Sequence, residues 1–299
     1  MNILITGAKG QLGQDCVKVL GDKFDVTAVD IDELDIASAK AVNASVDSAN
    51  PEVILNCAAF TQVDACESQV ETAWQVNAHG PANLAAAAKK TGARLIHIST
   101  DYVFDGRKPV PKAYAESDAT NPLSVYGKSK LAGEQRIKAA CGNFIILRTA
   151  WLYGLNGKNF IRTILGKVLT EPQTRLKIVN DQYGSPTWSY QLAMQIDRLL
   201  TTPAIGIYHA SAEGYCTWHE LATRLLEECG LPSDITACST AEFPTPAVRP
   251  RNSILDNQRL KSENCNVMDN WQGGLKQFIK THGHQLMADL KQTASGATS

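Results

Sequence analysis

The chain has 299 residues, 44% hydrophobic and 20% charged, a composition that fits a folded globular protein and excludes a disordered or fibrous one. Twenty-nine basic against 30 acidic residues leave a formal charge of −1, so a dedicated nucleic-acid binder is not expected. No apolar run nears the roughly 18 residues of a membrane span, and eight cysteines without a C-x-x-C pair read as free thiols of a reducing cytoplasm.

Short β-branched runs alternate with helical spacing through the first half. Asn2–Thr6 reads as a buried strand, and Gln11–Leu20 as a helix with apolar residues at Leu12, Cys16, Val19 and Leu20. Strands follow at Asp25–Val29 and Val53–Asn56. Glu71–Lys90 is alanine-rich and helical and stops at Gly92. Arg94–Ser99 is the fourth strand, Val125–Ala140 a helix and Phe144–Leu147 the fifth strand. Such alternation predicts parallel strands joined by crossover helices, and the near-continuous apolar strands predict cover on both faces. The fold class is therefore α/β, a Rossmann-type doubly wound parallel sheet.

The second half is less regular. Helical spacing recurs at Phe160–Leu169 and Tyr190–Leu200, and a Thr217–Glu220 capping box opens a further helix. Strands are expected at Leu176–Val179 and Ile205–Ala210. Seven of the twelve prolines lie here, which predicts a smaller, loop-rich lobe. The expected division is 1–150 for a dinucleotide-binding domain and 151–299 for a mainly substrate-binding lobe, interleaved with the first.

Two groups of residues carry chemistry. Gly7-Ala8-Lys9-Gly10-Gln11-Leu12-Gly13 lies between the first strand and the first helix. Gly7 allows a tight turn, Gly10 lets a pyrophosphate reach the backbone, and Gly13 lets helix and strand pack closely. The helix N-terminus then offers free N–H donors and a positive dipole end to phosphates. Asp30, at the end of the second strand, is placed to accept from ribose hydroxyls. Tyr126-Gly127-Lys128-Ser129-Lys130 supplies Y-x-x-x-K. At i and i+4 the two side chains share a helix face, where the Lys130 ammonium would favour the ionised Tyr126 phenol.

A hydroxyl is expected at the carboxyl end of the fourth strand, where open parallel sheets bind ligands. Ser99 and Thr100 both qualify, and alternation along a strand lets only one face the cleft. Asp101 either faces the ligand or caps a turn. His97, inside the strand, reads as a core histidine. No group of Cys, His, Asp and Glu has metal-ligand spacing.

The glycine spacing together with Y-x-x-x-K resembles the extended branch of the short-chain dehydrogenase/reductase superfamily. Within it, Asn56–Glu67 (NCAAFTQVDACE), Ser99–Phe104 (STDYVF), Val125–Glu134 (VYGKSKLAGE), Arg148–Gly154 (RTAWLYG), Asn180–Thr187 (NDQYGSPT) and Pro244–Leu255 (PTPAVRPRNSIL) resemble the dTDP-4-dehydrorhamnose reductase family over nearly the whole chain. The resemblance implies Thr100, rather than Ser99, as the catalytic hydroxyl. It implies Tyr126 as the proton donor, and Lys130 as the group that holds the nicotinamide ribose and tunes Tyr126. Gly10, Gln11 and Leu12 would contact the cofactor phosphates and Asp30 the adenosine ribose. Asp35 and Ile36 would lie beside the adenine, and Ala59, Phe60 and Thr61 along the cofactor, Phe60 through its backbone.

Thr100, Asp101 and Trp151 correspond to the sugar-nucleotide pocket, with Trp151 offering a flat face. Arg249 and Arg251 are candidates for the substrate diphosphate, because guanidinium matches phosphate oxygens. The implied reaction is NAD(P)H-dependent reduction of the C4 carbonyl of dTDP-4-dehydro-6-deoxy-L-mannose to dTDP-L-rhamnose. Asp30 should repel a 2′-phosphate and Lys9 attract it, so use of both NADPH and NADH is expected. The resemblance also admits a homodimer and a structural magnesium between subunits, for which no motif marks a place. Two other members of the superfamily stay open: a non-catalytic dinucleotide-binding regulatory subunit, and a sugar-nucleotide epimerase or dehydratase that returns its hydride.

Overall fold

In the strand β1 (Asn2–Thr6), Ile3 and Ile5 enter one layer of the core and Leu4 the other, so every residue between them is buried. The computed structural model describes residues 1–171, 175–232 and 234–296. After β1 come α1 (Gln11–Gly21), β2 (Asp25–Val29), α2 (Ala39–Ala49), β3 (Val53–Asn56), α3 (Val63–Ser68), α4 (Val70–Trp74), α5 (Gly80–Thr91), β4 (Arg94–Thr100), α6 (Val125–Ala140) and β5 (Phe144–Thr149). The second half adds β6 (Leu152–Tyr153), α7 (Phe160–Thr170), β7 (Leu176–Val179), β8 (Tyr183–Gly184), β9 (Thr187–Trp188), α8 (Ser189–Leu200), β10 (Gly206–His209), β11 (Cys216–Thr217), α9 (Trp218–Glu228), β12 (Ile235–Cys238), α10 (Gln258–Ser262) and α11 (Trp271–Gly296).

The main sheet runs β10-β5-β4-β3-β1-β2, and all its pairings are parallel. Strand order reverses between β1 and β3, which opens a crevice at the carboxyl ends of the strands. Residues of α1 and α8 cover one face, and residues of α2, α5 and α6 the other. In α5 the side chains of Ala85, Ala87 and Ala88 are small enough to let that helix lie close on the sheet. A separate core forms from Ile161 and Leu165 of α7, Leu221 and Leu225 of α9, and Trp271, Leu275 and Phe278 of α11. The second half is not confined to that core, since α8 and β10 return to the main sheet.

Several elements escape the sequence pattern, among them α2, α3, α10 and the 26-residue α11. Helix α2 buries only Val42 and Val46, too sparse a stripe to read, and starts where the Ser38 hydroxyl accepts from the Ala41 N–H. The helix expected over Glu71–Lys90 is α4 and α5 joined by a π-helical turn at Gln75–His79. Such turns are set by tertiary contacts and leave no periodic signature.

Candidate active site

At Gly7 the backbone has φ +69°, and a Cβ there would lie 2.6 Å from the Ala58 nitrogen. A Cβ on Gly13 would lie 2.1 Å from the Gly7 carbonyl oxygen. Gly10 is the N-cap of α1, and no side chain caps that helix. Its first amides therefore remain available to an anion. Gly10, Gln11, Leu12 and Gly13 line a cleft of about 620 Å³. The cradle fits a dinucleotide pyrophosphate: backbone donors, no Cβ in the way, and open space in front. The Gln11 side chain is engaged, its Oε1 accepting from Asn159 Nδ2 at 2.8 Å.

Thr100, Asp101, Tyr126 and Lys130 line the same cleft. The alternation at the end of β4 resolves as follows. Ser99 Oγ donates to Glu134 Oε1 at 2.5 Å, and Arg148 grips that carboxylate through Nε at 2.9 Å and Nη2 at 2.6 Å. Thr100 Oγ1 instead donates to Asp101 Oδ1 at 2.9 Å and accepts from the Tyr102 N–H at 3.2 Å. Asp101 is 3% exposed. Burial pushes its carboxyl up to about 6, against the pull of the Ser253 and Thr100 hydroxyls.

Burial, with the Asp101 charge behind it, pushes the Tyr126 phenol well above its ordinary value, while the Thr100 hydroxyl pulls it down. The expectation that Lys130 supplies that pull is corrected here. The lysine shares the helix face, but its Nζ donates to the Ile98 carbonyl at 2.6 Å and meets His97 Nε2 at 3.3 Å. The sheet beneath has claimed the ammonium, and Lys130 is not among the groups that move Tyr126. Burial lowers Lys130 itself to about 8, opposed by Glu134 and Cys57.

Other expected cofactor contacts are placed less simply. Ala59 and Thr61 line the cleft. Phe60 was expected to offer its backbone, yet its N–H donates to Asn77 Oδ1 at 2.9 Å and its carbonyl accepts from Asn77 Nδ2 at 3.0 Å. Both groups are spent on the π turn. The Ile36 side chain is buried in the core beneath α2 and α5, and its carbonyl accepts from Asn83 Nδ2 at 3.0 Å, so the contact expected beside the adenine is not offered by either. Asp35 caps the Ala37 N–H at 2.9 Å. Asp30 accepts from the Lys9 N–H at 2.7 Å and lines a second, more open cavity beside the glycine loop. Lys9 does not stand free for a phosphate: its Nζ meets Asp32 at 2.9 Å and Glu33 at 3.2 Å.

On the far wall, Trp151 lines the cleft, but its face is taken. Trp218 stacks on it with ring centroids 3.5 Å apart and planes 7° from parallel. Gly184 also presses on the ring, since a Cβ there would lie 2.4 Å from Trp151 Cε2. Trp218, which Phe160 meets with ring centroids 4.6 Å apart and planes tilted by 41°, lines both the cleft and an adjoining cavity of about 340 Å³. Arg249, Lys167, Lys177 and Phe160 line that second cavity. Arg249 is held by Asp64, with Nη1 to Oδ1 at 3.0 Å and Nη2 to Oδ2 at 2.8 Å. Arg251 is exposed and lines neither space. Among the described residues no group of three or more His, Cys, Asp and Glu is arranged to hold a metal.

Comparison with known proteins matches residues 1–283 to the family described as RmlD substrate binding domain. The dTDP-4-dehydrorhamnose reductase of Salmonella typhimurium strain LT2 is 38% identical over 294 residues, covering 93% of this chain and 97% of that one. The chain belongs to the dTDP-4-dehydrorhamnose reductase family. Among solved reductase structures, that from Clostridium acetobutylicum is 42% identical with a TM-score of 0.89, covering 94% of this chain and 99% of its own. The Bacillus anthracis reductase, solved in complex with NADP, is 36% identical with a TM-score of 0.89, covering 93% and 98%.

Within this reductase family member, sequence reasoning passed over Trp218, Asp64 and Asn77. Trp218 was visible only as the first residue after a capping Thr217, and its ring matters because α9 lays it on Trp151. Asp64 stands in α3 and holds Arg249, 185 residues along the chain, and Asn77 stands in the π turn and holds the Phe60 backbone.

Proposed function

We propose that Thr100, Tyr126 and Lys130 carry out the reduction that defines this reductase family. The reaction is the NAD(P)H-dependent reduction of the C4 carbonyl of dTDP-4-dehydro-6-deoxy-L-mannose to dTDP-L-rhamnose. The observation that supports the assignment is the shared corner: two hydroxyls at the end of β4 and the start of α6, open to the same cleft as the uncapped glycine loop. When bound, NAD(P)H supplies the hydride. Gly10, Gln11, Leu12 and Gly13 would hold its phosphates, Lys130 its ribose hydroxyls, and Asp30 the adenosine end.

Negative charge then develops on the carbonyl oxygen. The Thr100 hydroxyl turns from Asp101 Oδ1 to that oxygen and stabilises it, and the Tyr126 phenol protonates it. A Tyr126 held high in pKa keeps its proton until a basic alkoxide forms beside it. The sugar nucleotide would run past Trp218 into the smaller cavity, whose Lys167, Lys177 and Arg249 suit a diphosphate and whose Phe160 suits a base. For Arg249 this means sharing its guanidinium between Asp64 and the ligand.

We also read the protein as cytoplasmic, with its eight cysteines all free. No helix among the described residues is long and apolar enough to cross a membrane. Purified protein should consume one NADPH per sugar nucleotide and give a product two mass units heavier. Turnover with no net oxidation of NADPH would instead identify an epimerase or dehydratase, and no turnover at all a regulatory subunit.

A further inference from the structure

Behind Lys130 lies a chain of buried polar side chains that the reaction above does not use. Thr6 Oγ1 donates to Asn56 Oδ1 at 2.8 Å, and the Ala58 N–H donates to the same oxygen at 3.1 Å. Those two donors fix the Asn56 amide, so the atom reaching His97 Nδ1 at 2.9 Å is Nδ2. An amide N–H only donates, and Nδ1 must therefore be the acceptor of the His97 ring. Burial, and the Lys130 charge beside it, hold His97 well below its ordinary pKa. The ring is neutral and its single proton sits on Nε2. That Nε2–H faces Lys130 Nζ at 3.3 Å, while the Ile98 carbonyl takes one N–H of the same nitrogen at 2.6 Å.

A donor set against an amine has a direct consequence. A neutral amine has a lone pair to receive the Nε2–H, and an ammonium has none. In the charged form one N–H stays on Ile98, and the other two have nothing to bond on the histidine side. The cleft is where they can turn, because Lys130 lines it together with Tyr126.

We propose that His97 is a positioning residue whose Nε2–H, oriented by Thr6 and Asn56, closes the sheet side to the Lys130 ammonium and aims its remaining donors at the cofactor ribose. The inference rests on the assignment of Lys130 to that ribose. The other groups facing Lys130 are Glu134 one turn along α6 and Cys57 just after β3. Glu134 and Cys57 favour the ammonium and burial opposes it.

Two readouts on cofactor-free protein test the role without activity. Histidine ring-nitrogen NMR should show His97 as the neutral Nε2–H tautomer throughout the neutral range. A proton on Nδ1, or a ring that charges near the ordinary value of about 6.5, overturns the proposal. Titration of Lys130 Nζ by NMR then compares variants. His97→Phe keeps the ring and removes the donor, so the Lys130 midpoint should rise by about one pH unit. His97→Gln keeps an acceptor for Asn56 and a donor for Lys130, and should return the midpoint to the wild-type value. NADPH should bind several-fold more weakly to His97→Phe and near normally to His97→Gln.

A Lys130 midpoint and an NADPH affinity that are the same in wild type and His97→Phe would sink the positioning role. Lys130→Met separates the two levels. If it binds NADPH and turns over normally, the ribose assignment itself is wrong. If it loses both while His97→Phe changes nothing, only the role of His97 is wrong. Should His97→Phe not fold, the wild-type tautomer and His97→Gln still decide.

Discussion

On the sheet side of the cleft, Gly7 and Gly13 leave no room for a Cβ, and Ser99, Glu134 and Arg148 form a fully buried charged group under Thr100. On the lobe side, the contacts are the Trp151–Trp218 stack and an Arg249–Asp64 pair whose side chains are 25% and 40% exposed. The first wall is fixed by backbone geometry and by charges that cannot be left alone. The second is held by side chains that can shift a little and stay satisfied. One wall can therefore keep the reduction chemistry unchanged while the other is altered to suit a different sugar nucleotide.

The sharpest way to break this contrast is Tyr126→Phe. Turnover should fall by about 10²–10⁴-fold, while NADPH affinity and the melting temperature stay close to wild type. Near-normal turnover would remove Tyr126 as the acid and with it the chemical meaning of the sheet wall. Next in size is the buried ion pair. Glu134→Leu leaves the Arg148 guanidinium buried without its carboxylate, a change worth about 3–5 kcal/mol of stability. The matching change on the other wall, Asp64→Leu, should cost under about 1 kcal/mol and act on the Michaelis constant of the sugar nucleotide instead. Urea unfolding of both variants compares the walls directly. Equal losses would erase the distinction.

Asp101 gives a pH signature. Its carboxyl titrates at about 6 in the fold against 3.8 unperturbed, so the unfolded chain gives up this proton first as pH rises. Below about pH 4 the group is protonated in both states and costs nothing. Between about pH 4 and 6 the folded state loses ground, by on the order of 1–3 kcal/mol in total. Asp101→Asn should thus be stabilising at pH 7 and neutral at pH 3, by urea midpoints at the two values. A gain of the same size at both would mean that packing, not charge, is responsible.

Smaller effects sharpen the lobe side. Trp218→Ala should raise the Michaelis constant of the sugar nucleotide several-fold, in line with stacking worth about 0.5–1.5 kcal/mol, and leave that of NADPH alone. Trp151→Ala should cost more stability than Trp218→Ala, because Trp151 is pressed between other groups. Smallest is Asp30→Ala. Removing one of the carboxylates around Lys9 should lower the NADPH-to-NADH ratio of Michaelis constants a few-fold, and an unchanged ratio would take Asp30 away from the ribose.

Much of the sheet wall could be read from the chain because its information is local. A strand, a glycine-spaced turn and a helix follow each other within Asn2–Gly21, and Tyr126 and Lys130 are one turn apart. What lies a long way along the chain could not be read. By strand periodicity Ser99 and Thr100 could not be told apart, and the physical difference came only when α6 and β5 brought Glu134 and Arg148 under the first of them. Lys130 was expected at the phenol because spacing says nothing about the Ile98 carbonyl beneath. Phe60 loses its backbone to Asn77, which is placed by a π turn. Arg249 and Arg251 look equivalent in sequence, and only the fold of the 244–251 segment onto α3 separates them.

The stacked pair of indoles has an optical consequence. Two tryptophan rings at 3.5 Å and nearly parallel are close enough to couple electronically. Their contribution to absorption, fluorescence and circular dichroism should stand apart from that of the other three of the five tryptophans. One ring of the pair fronts both cavities. A ligand that settles against it should change the coupling, while one confined to the glycine loop should not. The protein thus carries its own spectroscopic gauge of which half of the cleft is filled.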